Sequence, residues 1–377
     1  MAAAAETGVR GDDERVAPDA LRSLIGEIMR RDGCGDEEAD AVAHHLVDAT
    51  LTGHDSHGVI RTPRYHHWIA SGVLKPGASV EVLLDTGPLL QLDGGSGMGQ
   101  WVARQGLAMG LERCAAHGMA LVAMRRGGHI GRLGAYAEEA GARGIVSIQF
   151  VNVAGGRLVA PFGAAQKALS TAPMAVGVPH GEGDDFILDF STAVVAEGKA
   201  LVAAQGGKAL PEGALIGPDG RRTSDPAVLY GDTIGTSVPD PRAGAGALRA
   251  MGEHKGSGLA LACEILAGAL TGGGASGPAP HPFGNGWLLV LVDPARLDNP
   301  LGFGAEVADF IAWVRGLTPD AETGRVLIPG DKERASRAER LANGLPVPQP
   351  VLREILAVAD ALGIGVDRRD LLVRGAH

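Results

Sequence analysis

Two histidines stand in glycine-flanked turns, His57 in Gly53-His54-Asp55-Ser56-His57-Gly58 and His129 in Gly127-Gly128-His129-Ile130-Gly131-Arg132-Leu133-Gly134. A core histidine rides an apolar period, whereas a ring between glycines is presented by a tight backbone to a cleft. An imidazole titrates near pH ~6.5, so either ring can give or take a proton at neutral pH. Arg61 follows His57 by four residues. On a helical or turn-like backbone the two share a face, where they can hold one small anion such as a substrate carboxylate. His44 and His45, by contrast, ride a periodic helix and read as packing or solvated-face residues.

Two further segments suit an anion. The glycine cluster Asp93 to Gln100 precedes a helix, and Glu253-His254-Lys255-Gly256-Ser257-Gly258 opens an apolar helix running to Leu270. Free amides at a helix start, together with Lys255, match a cofactor phosphate or a carboxylate. Gly272, Gly274 and Gly277 spell Gly-x-Gly-x-x-Gly, yet they follow a helix rather than a strand, and Pro278, Pro280 and Pro282 block a helix after them. That segment reads as a mobile loop. A metal-dependent hydrolase using His54, Asp55, His57 and His129 is a rival reading, but the His-x-x-His spacing lacks the i, i+4 helical face and no second carboxylate cluster accompanies it. No metal site is expected.

The elements around these residues alternate between helix and strand. Val16 to Leu51 predicts two helices broken at Gly33-Cys34-Gly35, and Thr62-Pro63 caps and opens a third. Val80 to Leu92 is β-rich, and Trp101 to His117 is helical. Met119 to Met124 is a strand delivering His129, Gly134 to Ala142 a helix, and Gly144 to Val153 a strand. That order is a βαβ unit, with His129 at the carboxyl end of a strand where open α/β sheets place ligands. Asp189 closes a later strand, Phe186 to Phe190; Leu288 to Val292 is another, and Ala305 to Arg315 and the C-terminal region are helical.

With 377 residues, 45% of them hydrophobic, two or three domains are the prior. A net charge of -10 and the lack of any Lys/Arg block exclude a nucleic-acid partner. Cys34, Cys114 and Cys263 are odd in number and form no Cys-x-x-Cys pair, which points to a reducing compartment. Residues 1–15 lack the apolar run of a signal peptide and read as a disordered tail of a cytoplasmic protein. No stretch reaches the ~20 apolar residues of a membrane span.

Seven motifs, in order along the chain, resemble those of the malate/L-lactate dehydrogenase family of the second type. They are Gly53 to Gly58, Gly128 to Arg132, Ala160-Pro161-Phe162-Gly163, Asp189-Phe190-Ser191-Thr192 with Gly198-Lys199, Thr223-Ser224-Asp225-Pro226, Glu253 to Gly256, and Leu327-Ile328-Pro329-Gly330. The wording around His129 and Lys255 is most similar to the hydroxycarboxylate dehydrogenase B branch. The resemblance implies an α/β protein with a non-Rossmann nicotinamide-binding fold of the L-sulfolactate dehydrogenase-like type and a helical N-terminal region. It implies a homodimer that uses NAD or NADP, NAD being modestly favoured, to interconvert a 2-hydroxy acid and a 2-oxo acid. The division expected is a helical, substrate and dimerisation region at 16–125 plus 325–377, and a cofactor-binding α/β domain at 126–324.

Carried over residue by residue, the resemblance makes His129 catalytic and gives His57, Ser56 and Arg61 to the substrate, with His57 a second catalytic candidate. His129, Asn152, Val153, Asp189, Phe190, Ser191, Lys255, Gly330 and Asp331 fall at or beside nicotinamide-cofactor positions. Asp189 could orient His57 or a cofactor hydroxyl, and both readings stay open. Two departures concern the substrate: Ala172 stands in Ser170-Thr171-Ala172-Pro173 where many members have asparagine, and Arg61 is absent from the hydroxycarboxylate branch. A cyclic imine carboxylate reductase is the close alternative, and a catalytically silent binding protein a further one.

Overall fold

The structure is a computed structural model describing residues 13–180, 184–204, 209–234, 240–277 and 281–373. Strand β1 (Asp13–Val16) leads into α1 (Pro18–Arg31), α2 (Asp36–Leu51) and α3 (Thr62–Ala70). Proline at the start of α1 and α3 costs no hydrogen bond, since the first helical amides are unpaired anyway. Residues 13–15, expected in a disordered tail, instead pair with residues 346–348, while residues 1–12 lie outside the described residues. Val16, Leu21, Ile25, Val42, Leu46, Leu345, Leu352 and Ile355 share one apolar cluster, so the two ends of the chain build a single helical unit.

Next come β2 (Glu81–Asp85), β3 (Leu89–Asp93), α4 (Gly99–His117), β4 (Met119–Gly127), α5 (Gly134–Gly141) and β5 (Val146–Ala154). They are followed by β6 (Val159–Ala160), β7 (Pro173–Val178), β8 (Phe186–Ser191) and α6 (Glu197–Ala204), then by β9 (Leu215–Ile216), β10 (Arg222–Thr223), α7 (Ala227–Tyr230) and β11 (Ala247–Arg249). α8 (His254–Cys263) continues as a π-helical segment, Glu264–Ala269, before β12 (Gly284–Val292). The chain ends in α9 (Phe303–Arg315), α10 (Asp331–Asn343), β13 (Leu345–Pro348), α11 (Gln349–Ala361) and α12 (Arg368–Leu371).

The large sheet has seven strands in the order β2-β3-β4-β12-β5-β7-β8. Only β3 and β4 run parallel; every other neighbouring pair is antiparallel. The βαβ unit is therefore split. β12 inserts between β4 and β5 and pairs with both along its length. Val151 packs with α4 and α5 residues in one cluster, while its neighbour Phe150 packs in another with Ala260 and Cys263 of α8. Alternating side chains of one strand thus cover both faces of the sheet. The boundary expected after residue 125 falls inside β4, whose sheet takes residues from both sides of it.

A smaller sheet, β10-β9-β11-β6, forms a separate layer. The glycine loop after the π segment is pinned rather than loose: Asn152 Nδ2 donates to the Gly274 carbonyl (2.9 Å), and Ser276 N to Glu264 (2.8 Å).

Candidate active site

His129 lies just beyond β4, in a loop fixed on three sides. Ile130 N donates to Asn285 Oδ1 (2.9 Å), Tyr136 Oη to the Ile130 carbonyl (2.6 Å), and Arg132 N to His45 Nε2 (2.9 Å). Burial pushes His45 down to about 3, with the Arg132 charge adding to it, so this ring is a neutral acceptor. Gly131 has φ +79°, and a Cβ there would lie 2.3 Å from His45 Nε2, so the turn requires glycine.

His57 closes a short 3-10 turn, Asp55–His57, between α2 and α3. Here too glycine is obligatory, because a Cβ on Gly58 would lie 2.1 Å from Thr50 Oγ1, the atom that accepts Val59 N (3.0 Å). α10 braces the turn through the buried Arg340 on Asp55 (2.5 Å) and Glu333 on His54 (3.3 Å).

The two glycine-flanked rings meet. Their centroids are 5.4 Å apart with planes 14° from parallel. Ser56 Oγ lies 3.0 Å from His57 Nδ1, and Arg61 Nε donates to the Ser56 carbonyl (2.5 Å). Among the described residues the Arg61 guanidinium has no carboxylate within ion-pairing distance, and neither terminal nitrogen has a hydrogen-bond partner. A half-buried cation with its fork free is a ready carboxylate clamp. Burial first, and then the Arg61 charge, holds both imidazoles well below their ordinary range.

Tyr65 completes the arrangement. This fully buried residue of α3 places its Oη 2.6 Å from His129 Nδ1, and Gln100 Nε2 donates to the same oxygen (2.7 Å). Nε2 is therefore the His129 nitrogen left for a ligand. Trp68, 6.5 Å from the His129 ring, stacks toward Phe283 (4.6 Å) and forms an aromatic wall beside it.

Of the candidate cofactor residues, Asp189, Phe190 and Ser191 lie on edge strand β8 and the turns carrying Gly330, Asp331 and Lys255 come to its two ends, whereas Asn152 and Val153 lie on β5. The turn before α10 reaches the beginning of β8, since Ile187 N donates to the Pro329 carbonyl (3.3 Å) beside Gly330 and Asp331. The turn before α8 reaches its end, where Met251 N donates to the Thr192 carbonyl (2.8 Å). Lys255, in the first turn of α8, is exposed and has no ion-pair partner among the described residues. An unpaired cation at a helix start suits a dinucleotide phosphate, so this edge fits such a group.

A family model for malate/L-lactate dehydrogenase matches residues 16–356. The chain belongs to that family. It is 34% identical to hydroxycarboxylate dehydrogenase B of Escherichia coli (strain K12), over 95% of this chain and 96% of that one. It is 33% identical to an L-lactate dehydrogenase of Cupriavidus necator, covering 93% and 99% of the two chains. The sulfolactate dehydrogenase structure from Methanocaldococcus jannaschii superposes with a TM-score of 0.80 at 27% identity, over 95% and 99% of the chains. The chain is thus an oxidoreductase, a 2-hydroxy acid dehydrogenase, and its family points to a nicotinamide cofactor.

In this dehydrogenase the predicted residues part company. His57, Ser56, Arg61 and His129 come together in one place. Asp189 does not reach His57: its Oδ2 accepts Gly134 N (2.7 Å) and ties β8 to the start of α5. Asn152 is fully buried, and its amide is spent on Glu264 (3.2 Å), Gly274 and Gly286 (3.1 Å), so its side chain has no free group for a cofactor. Val153 N is taken by Ser170 Oγ (3.3 Å). Ser191 Oγ donates to the Thr171 carbonyl (2.9 Å), and Phe190 stands opposite Met174 in the sheet. Asp331 accepts Ile328 N (2.8 Å) and pairs with Arg315 and Arg334, both at 2.7 Å, and Gly330, with φ +99°, is buried in that turn against the Arg334 guanidinium.

Tyr65 and Gln100 are the functional residues that sequence reasoning missed. The available signal was spacing: Tyr65 follows Arg61 by four residues, the same helical step that joins Arg61 to His57. Ala172 has φ +35° and is fully buried, so the dehydrogenase keeps a left-handed backbone that asparagine tolerates better, without asparagine's amide. Among the described residues no cluster of metal-binding side chains occurs, and no helix is long and apolar enough to cross a membrane.

Proposed function

We propose that this enzyme interconverts a 2-hydroxy acid and its 2-oxo acid with NAD or NADP, His129 exchanging the proton and Arg61 holding the substrate carboxylate. The observation that carries the reading is the His129 ring, held at Nδ1 by Tyr65 and left open at Nε2, beside a guanidinium with a free fork. The nicotinamide supplies or accepts the hydride at the substrate carbon. Arg61 takes the carboxylate in two parallel hydrogen bonds and so orients the 2-oxo group toward Nε2. Nε2 gives a proton to the carbonyl oxygen in reduction and takes it from the hydroxyl in oxidation.

A tyrosine hydroxyl both donates and accepts, so Tyr65 stays bonded to Nδ1 in either state of the ring. The substrate carboxylate also neutralises part of the Arg61 charge that depresses His129, which brings the ring nearer to neutral pH when the site is filled. His57 and Ser56 complete the pocket wall. Lys255, Gly330 and the Asp189–Ser191 backbone hold the cofactor along β8. The branch resemblance favours NAD over NADP.

Three buried free cysteines support a reducing, cytoplasmic setting. A homodimer is supported by α9, where Phe310 and Trp313 are 63% and 62% exposed, an apolar surface of the kind a second protomer covers. The domain division proposed assigns the helical unit to substrate and dimer contacts and the β8 side to the cofactor.

The test is oxidation of NADH and NADPH by the purified enzyme against a panel of 2-oxo acids and cyclic imine carboxylates. Turnover of 2-oxo acids is expected. Turnover of the imines alone, or of nothing, overturns the reading.

A further inference from the structure

A cavity of about 240 Å³ opens between the loop Ala160 to Ala165 and the small sheet, and no role described above uses it. Its polar wall is Arg222, Arg249 and Glu253, and its apolar rim is Phe162. Arg249 is the buried partner, with 13% of its side chain exposed, and it bonds Glu253 and the Gly213 carbonyl (2.5 Å). Arg222 pairs with the same Glu253 oxygen through a single nitrogen (3.0 Å), and its other nitrogens have no partner among the described residues. Two guanidiniums against one carboxylate leave a positive charge, and the free donors on Arg222 have the fork geometry that phosphate prefers.

The backbone is also set for a ligand. Glu253 has φ 59° and ψ -125°, a backbone conformation strained for any residue but glycine, and both arginines bond its carboxylate. Such strain collects at ligand sites. Phe162 is 60% exposed although Ser257 Oγ fixes its amide (2.9 Å), so a flat ring is presented at the cavity mouth.

Position gives the occupant. An extended run from Asp189 to Thr192, one residue past the end of β8, spans about 10 Å. At its end the Thr192 carbonyl accepts Met251 N, two residues before Glu253. Asp189, Phe190 and Ser191 thus lead along β8 from the start of α5, beyond the His129 loop, toward this cavity, while Gly330 and Asp331 lie at the other end of the strand. At about 240 Å³ the cavity falls below the ~300–1,000 Å³ of whole-ligand sites and suits one end of a longer molecule.

We propose that the cavity binds the 2′-phosphorylated adenosine end of the cofactor, with Arg222 on the phosphate and the base against Phe162. Arg249 and Glu253 position Arg222. This rests on the nicotinamide-cofactor reading above, and it reverses the preference for NAD in favour of NADP.

The experiment is calorimetry on the intact enzyme with adenosine 2′,5′-bisphosphate and with 5′-AMP, in the parent, Arg222→Ala and Arg221→Ala. The Arg222 side chain is 62% exposed, so its removal leaves the core untouched; Arg221, 88% exposed, is the charge control. The bisphosphate should bind at least tenfold tighter than 5′-AMP to the parent and to Arg221→Ala, and Arg222→Ala should erase most of that difference and lower the NADPH to NADH ratio of kcat/KM about tenfold. Equal binding of the two nucleotides by the parent, or an Arg222→Ala enzyme that keeps the difference, overturns the proposal. Calorimetry decides this without turnover, so failure of the dehydrogenase reading and failure of this one are told apart.

Discussion

Tyr65 Oη and His129 Nδ1 are 2.6 Å apart in a site where the tyrosine is fully buried and the histidine only half-buried. The contact commits one ring nitrogen and frees the other. Tyr65→Phe removes it with little change of shape, and kcat should fall on the order of 10- to 100-fold, within the range of positioned acid–base groups. Cofactor affinity, followed by fluorescence titration, should stay within about twofold. A Phe variant with parental kcat would show that the hydrogen bond does not serve proton transfer.

The paired histidines should separate kinetically. His129→Ala is expected to lower kcat on the order of 100-fold or more, since no other group is held at its Nε2 position. His57→Ala should act mainly on KM, because that ring lies against Ser56 at the carboxylate end of the cleft. Reversal of these effects in steady-state assays would exchange the two roles.

Arg61→Lys keeps the charge but loses the planar fork, and the new ammonium cannot bridge both the Ser56 carbonyl and a carboxylate in the same way. KM for a 2-oxo acid should rise about tenfold or more, corresponding to the loss of one charge-assisted hydrogen bond. An unchanged KM would place the carboxylate elsewhere.

Stability should depend on pH through His45. Unfolded, this ring takes a proton near pH ~6.5; folded, it resists protonation down to about 3. Between those values the unfolded state binds more protons, so stability is complete above the upper one and falls as the pH is lowered toward the other. Burial depresses His57 and His129 in the same direction. His45→Gln keeps an acceptor for Arg132 N while removing the titration, and the fall in urea midpoint from pH 7 to pH 5 should be shallower than in the parent. Parallel pH curves for the two proteins would remove His45 from the account.

Asn152→Ala tests whether that buried amide is structural. Its loss strands Gly286 N and unpins the Gly274 loop, and a cost of about 3 kcal/mol in unfolding free energy is expected from the unsatisfied buried groups. The dissociation constant for the cofactor, measured below the transition, should move less than about threefold. A large loss of affinity with no loss of stability would return Asn152 to the cofactor.

What the sequence alone determined are the parts whose physics is local. Glycines around His57 and His129 declare tight turns because side chains cannot occupy those positions, and the four-residue step to Arg61 marks one face. Helix periods, the failed Gly-x-Gly-x-x-Gly and the family motifs were readable for the same reason. Tertiary structure decided the rest. Tyr65 looks like any apolar-period residue of α3 until the His129 loop, 64 positions away, arrives against its hydroxyl. The insertion of β12 between β4 and β5 is written in no local pattern, because strand pairing is settled by hydrogen bonds between segments more than a hundred residues apart. Asn152 and Asp189 carried polar groups fit for a site, and only the packed chain shows the Asn152 amide bonded to Glu264 and one Asp189 oxygen bonded to Gly134. A buried polar atom takes whichever partner the fold brings within reach, and that choice lies in the packing of distant segments.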